Sequence, residues 1–154
     1  MKRTIVVPLL VIATLLLTSL TSGAMSVKAA GKQYLSDVAP ANAALRSFES
    51  EIHAWTNSTP DAEGEQQAAP VFTALRTLRR NFLSQTWPRF VQGGVRFMCD
   101  EDIASLEEDL SMIDANSSLG NGAFQFTFSA DSKTIDSHAF YVRRDLDLPG
   151  GSDL

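Results

Sequence analysis

One cysteine and two histidines are all that the 154 residues offer to thiol or imidazole chemistry. Cys99 alone can close no intramolecular disulfide. His53 and His138 begin neither a His-x-x-x-His nor a Glu-x-x-His pair, the spacings by which a helical bundle sets two metal ligands on one face. No Gly-rich phosphate loop follows a strand, no Gly-x-Ser-x-Gly elbow is present, there is no Cys-x-x-Cys, and no Ca²⁺ loop can be fitted. Bases are also short, thirteen Lys and Arg against eighteen Asp and Glu, a formal charge of −5. An acidic chain suits neither nucleic acid nor an anionic lipid surface. The sequence therefore assigns no catalytic, cofactor-binding or metal-ligating residue and reads as a non-enzyme without a cofactor.

What is present begins with a leader. Lys2 and Arg3 precede an uncharged apolar run from Ile5 to about Ala24, followed by small residues, which is the layout of a secretory signal. Ser22-Gly23-Ala24 and Val27-Lys28-Ala29 both satisfy the small-x-small rule, placing cleavage before Met25 or before Ala30. The run is also about the 20 residues a bilayer span needs, so it could stay as an uncleaved anchor. No cysteine follows it to accept a lipid. Residues 1–29 are thus read as signal peptide or anchor, 30–149 as one helical domain and 150–154 as a flexible C-terminus, in a secreted or extracytoplasmic protein. A domain of this length can bury a core without metal or disulfide support.

Hydrophobic spacing marks four amphipathic helices. Tyr34, Val38, Ala41, Leu45, Phe48, Ile52 and Trp55 form the first stripe, with Pro40 expected to kink it and leave residues 33–39 as a separate opening turn. Residues 57–64 read as a loop. A second helix is expected to start between Glu65 and Pro70 and to carry Phe72, Leu75, Leu78 and Phe82 inward. Trp87-Pro88 ends it, with Thr86 as cap of the third helix. Val91, Val95, Cys99, Leu106, Leu110 and Ile113 make the third stripe, with Ile103 at its margin. Gly93-Gly94 weakens that helix by about 1 kcal/mol per glycine, which fits local looseness or the close approach of a neighbour. Residues 116–122 form a second loop. Phe124 to Phe128 alternate like a strand, but Phe124, Phe128, Ile135, Ala139, Val142 and Leu146 recur at helical spacing, and the longer pattern wins. Joined by short loops, these helices predict an all-α, up-down-up-down four-helix bundle.

Tyr34-Leu35, then Val38-Ala39-Pro40-x-Asn42-Ala43-Ala44-Leu45-x-x-Phe48, the central Trp87-Pro88 and the closing Val142-Arg143-x-Asp145-Leu146-x-Leu148-Pro149 resemble small exported proteins and lipoproteins of actinobacteria. The resemblance spans most of the chain after the leader, and its motifs are structural. It implies an exported helical bundle and no active site. The missing lipidated cysteine sets this chain apart from the lipoprotein members.

Five residues merit scrutiny as chemistry. Cys99 lies on an apolar stripe and is followed by Asp100, Glu101 and Asp102, which favour an inert core thiol over a thiolate. His53 and His138 sit beside their stripes as boundary residues, although, with the first and last helices adjacent, a site shared by the histidines with Cys99 or Asp102 is conceivable. Asp102 and Arg79 fall on apolar stripes, and each is expected to reach solvent at the stripe's edge, the arginine by snorkelling. Charge is also segregated: Arg76, Arg79, Arg80, Arg89 and Arg96 have no acid among them. That stretch suits an acidic envelope polymer or, more simply, a solvated face. Phe126 and the Phe140-Tyr141 pair cannot all point inward and could mark a partner surface. The sequence thus favours a non-catalytic protein of the secreted or cell-envelope compartment that binds an unknown envelope protein or polymer. The alternative is a bundle holding a small molecule or metal between its helices through Asp102, Arg79 or the histidines.

Overall fold

The computed structural model describes residues 23–55, 61–115, 122–151 and 154, and every described regular element is helical. Helix α1 is Val27–Ile52, α2 Asp61–Ser84, α3 Arg89–Phe97, α4 Ile103–Ala115 and α5 Gly122–Asp145. A π-helical turn, Met98–Asp102, joins α3 directly to α4, so that four helical rods build a bundle-like core. Residues 1–22, 56–60, 116–121 and 152–153 lie outside the described residues, and with them most of the leader, half of the first expected loop and most of the second; the other half of the first, residues 61–64, is helical. Among the described residues no helix is long and apolar enough to cross a membrane.

Helix α1 starts earlier than its apolar stripe suggests, because Ser26 caps it by accepting a hydrogen bond from the Ala29 amide at 3.3 Å. The expected separate opening turn over 33–39 is corrected: α1 is one helix through Pro40, which stands exposed. Buried Tyr34 and Val38 on one side of the proline and Ala41 and Leu45 on the other pack as one stripe, and that burial outweighs one missing amide donor. Helix α2 likewise starts at Asp61 and carries Pro70 within it. Its buried face is Ala68, Val71, Leu75, Leu78 and Phe82, while Phe72 sits at the edge under the Arg76 guanidinium, 4.1 Å from the ring centroid. The alternating phenylalanines after residue 123 are helical, as their longer spacing predicts.

The break at Trp87-Pro88 is where the sequence puts it, but Thr86 is not the cap. Pro88 occupies that position and its carbonyl accepts from the Val91 and Gln92 amides, while the Thr86 carbonyl accepts from Met25. Trp87 is buried with its indole N–H on the Phe82 carbonyl at 2.8 Å. The Met25 bond brings the start of α1 to the end of α2. At the other end of the molecule the Gln125 amide reaches the Ile52 carbonyl, and Gly64 lies against Trp55 and Ile113.

The core is aromatic between α1, α2 and α5. Tyr34 stacks on Phe82 at 5.5 Å, and Phe48 meets Phe128 edge-on at 5.2 Å. Past α5 the chain turns at Asp147, the one non-glycine residue with positive φ among those described. It then runs back along the helix, with the Arg143 guanidinium binding the Pro149 and Leu154 carbonyls. The Leu154 side chain is buried, and its carbonyl also accepts from Asn42 of α1.

Candidate functional site

The π-helical turn is the one irregularity inside a described rod, and it carries a buried acid. Widening the helix by one residue per turn brings Met98, Cys99, Asp102 and Ile103 all inward, which moves Ile103 from its expected margin to full burial. Asp102, expected at solvent, is 5 % exposed and has both carboxylate oxygens 2.9 Å from Nδ1 of His138 on α5. Burial raises its pKa, and the hydrogen bond and charge of His138 pull the other way. A carboxylate on Nδ1 fixes the ring's orientation. Phe97 of α3 fixes it from the side, edge-on at 4.9 Å. His138 itself stays about a third exposed, so one oriented imidazole reaches the surface from a buried acid.

The same seam holds a second acid two turns on. Asp109 of α4 is 5 % exposed and faces Asp131 of α5, which sets one carboxyl against another between the helices. Burial first, then the Asp131 charge and hydrogen bond, push the Asp109 carboxyl up to about 7. Asp102 with His138 and Asp109 with Asp131 pair the third rod with α5 at two levels, the residues of each rod standing seven apart along the chain.

A third buried acid is treated differently. Asp37 sits between α1 and α2 and accepts from the Gln33 amide at 3.1 and 3.2 Å, from Asn81 at 3.1 Å and from Gln85 at 2.7 Å. All of these partners are neutral donors, Gln33 from α1, Asn81 from α2 and Gln85 from just past the end of α2.

The other candidates do not join Asp102. Cys99 is fully buried, its thiol pushed up to about 12 by burial and then by Asp100, with Sγ 4.0 Å from the Arg79 carbonyl. Nucleophilic or ligating use of a thiol needs the thiolate, and this one stays protonated at neutral pH. Arg79 does not pair with Asp102; it reaches Glu107 at 3.4 Å and keeps a buried Nε without a partner. His53 is exposed and bonded to the Glu49 carbonyl of its own helix. Among the described residues no group of three or more His, Cys, Asp or Glu could hold a metal ion.

Outside this seam stands a face of which the sequence reading had Tyr141 and the arginines but missed Phe90, Phe97 and Leu83. On α3, Phe90 is 59 % and Phe97 48 % exposed, and across the seam Tyr141 of α5 is 53 % exposed under the Arg144 guanidinium. The two helices approach closely because Gly94 has no side chain; a Cβ there would stand 3.0 Å from Val142. Arg89 and Arg96 flank the rings of α3, exposed and bonded to no carboxylate among the described residues. On the opposite flank Leu83 of α2, 49 % exposed, lies in hollows lined by Arg76, Arg79 and Arg80 on one side and by Gln92 and Arg96 on the other. The signal in the sequence was the seven-residue spacing of the Arg-Phe pair, Arg89-Phe90 and Arg96-Phe97, masked by counting only the inward stripe.

Set against known proteins, the chain matches no family model, no curated protein and no solved structure.

Proposed function

We propose that the protein is an exported, non-catalytic bundle, folded up-down-up-down, that works by binding a component of the cell envelope through the outer face of α3 and α5. Export rests on the leader pattern of residues 1–24, with the chain free after cleavage or held by the retained apolar run. Kinship with the small exported actinobacterial proteins belongs to the same reading. The observation that carries the binding role is the cluster of Phe90, Phe97 and Tyr141, each about half exposed on two helices whose spacing Gly94 and Val142 set. Aromatic side chains held outward on rigid helices are the anchors that recognition surfaces use. Phe140 beside Tyr141, rings 5.7 Å apart, extends the face around α5. The up-down order is supported by Met25 at Thr86 and Gln125 at Ile52, which put the start of α1 at the end of α2 and the start of α5 at the end of α1.

The test is photocrosslinking in the exporting cell, with benzoylphenylalanine at Phe97 in one strain and at exposed Ala62 in another. Adducts from position 97 alone support the reading. Equal yields at both positions, or none at 97, would remove it. Truncating Cys99 or His53 is expected to leave any cellular phenotype intact, whereas removing the exposed rings abolishes it.

The second reading, a small molecule or metal held between the helices, has the oriented His138 imidazole in its favour. Native mass spectrometry of the exported protein, repeated after denaturation, tests it by a bound mass that denaturation strips away.

A further inference from the structure

The formal charge of −5 conceals a separation along the molecule's length. Between Glu65 and Asp100 the chain has no acidic residue and five arginines, and the fold assigns that stretch to the later part of α2 and to α3. The Met25–Thr86 bond adds exposed Lys28 and Lys32 of α1 to the same end. Glu49, Glu51, Glu63 and Glu65 lie at the opposite end, which the Gln125–Ile52 and Gly64–Ile113 contacts define. Glu107 is engaged by Arg79 and Asp145 by Arg144, while exposed Asp100 and Glu101 follow one turn after Arg96 at the margin of this end. An acidic protein thus has one basic end, and that end carries the exposed apolar side chains.

The shape of this face selects its occupant. Phe90 and Phe97 stand two turns apart on the outside of a helix, a convex ridge rather than a pocket. Leu83 and Tyr141 stand outward on either side, with arginines between them. Outward aromatic and aliphatic tips ringed by guanidinium groups match the boundary between phosphate and acyl chain, where rings bury and arginines meet phosphate. A hydrated acidic polymer would satisfy the arginines and leave the rings in water.

We propose that the outer face of α3, extended by Arg80 and Leu83 of α2 and Tyr141 of α5, docks onto an anionic phospholipid bilayer. This rests on the binding face proposed above and names its partner. The phosphates lie over Arg80, Arg89 and Arg96, and Phe90 and Phe97 enter the interface. The acidic end points away from the bilayer. Net charge alone argued against such a surface; the distribution of charge argues for it.

The experiment uses the full chain as a bacterial host exports it, with an environment-sensitive dye on Gly93→Cys. Position 93 lies at the centre of the face, where an added Cβ meets nothing within 4 Å, and buried Cys99 is not labelled in the folded protein. Glu63→Cys at the other end is the control. Vesicles of phosphatidylcholine, with and without phosphatidylglycerol, are added. The dye at 93 is expected to shift to the blue and escape an aqueous quencher only when phosphatidylglycerol is present, and molar salt should reverse this. The dye at 63 should not respond. A retained leader would insert into both kinds of vesicle, so dependence on phosphatidylglycerol isolates the face. Arg80→Gln, Arg89→Gln and Arg96→Gln together should weaken partitioning about 100-fold. Indifference of position 93 to phosphatidylglycerol, or an equal response at 63, overturns the proposal. A response at 93 to heparin but not to the vesicles overturns it too, while leaving the binding face in place.

Discussion

Two seams of this molecule each bury aspartate, and they do so in opposite ways. Between α1 and α2, Asp37 is caged by amides of Gln33, Asn81 and Gln85, so it is answered by the two helices that hold it and the residue just past the end of α2. Along α5, Asp102 is answered by a histidine that reaches the surface, and Asp109 is answered only by another carboxyl. The first seam uses its acid to lock two helices. The second leaves its acids under tension beside a π-helical turn, with exposed rings just outside. Irregular backbone and imperfectly compensated charge are features that packing alone does not favour, and they concentrate where a protein meets something else.

The sharpest way to break the contrast is to empty the cage. Asp37→Ala leaves three amide side chains without their acceptor and should cost about 2–3 kcal/mol, read as a lower midpoint in urea at unchanged slope. The reverse is expected at the second seam. Burial favours the protonated form of Asp109, so its contribution to stability is complete below the ordinary carboxylate pKa, near 4, and is lost as pH rises toward about 7. Asp102, raised in the same direction, adds to that trend. Asp109→Asn should therefore leave the melting temperature unchanged at pH 4 and raise it at pH 8. The gain should be about 1–2 kcal/mol, discounted from the full shift because Asp131 and nearby solvent relax around the charge.

A finer division runs through the glycine pair of α3. Gly93 faces open space, so Gly93→Ala should add about 0.5–1 kcal/mol from helix propensity alone. Gly94 backs onto Val142, and Gly94→Ala should forfeit that gain or reverse it, because a buried β-branched side chain yields little. Paired thermal melts of the two variants decide between them. The smallest effect concerns orientation. Asp102→Ala should free the His138 ring from its edge contact with Phe97, seen as loss of the nuclear Overhauser effect between the rings with the fold retained.

Much of the architecture was legible because it follows from burial. The helical reading of the last segment, the break at Trp87-Pro88 and the buried thiol of Cys99 all come from apolar periodicity, which tertiary packing reinforces. Pro40 and Pro70 were misread for the converse reason: a local rule about one missing amide yielded to a whole stripe of packed side chains. The Asp102–His138 pair was only conceivable from the sequence, since it depends on the register between the third rod and α5, and spacing within one helix does not determine a neighbour's register. The π-helical turn hid as well, because acids at 100, 101 and 102 look like an ordinary solvated run. The acid-free stretch from Arg76 to Arg96 was legible as a charge block, but that Lys28 and Lys32 of α1 join it at one end was not, for a count along the chain carries no direction in the fold.

Hydrogen exchange of the exported protein, with and without an envelope fraction from the exporting cell, tests most directly whether the α3–α5 face is where this protein binds. New protection over Arg89–Phe97 and over residues 138–144, with none over the outer surfaces of α1 and early α2, is the predicted footprint. Protection centred instead on the acidic end around Glu49 and Glu63, or on no part of the chain, would contradict it.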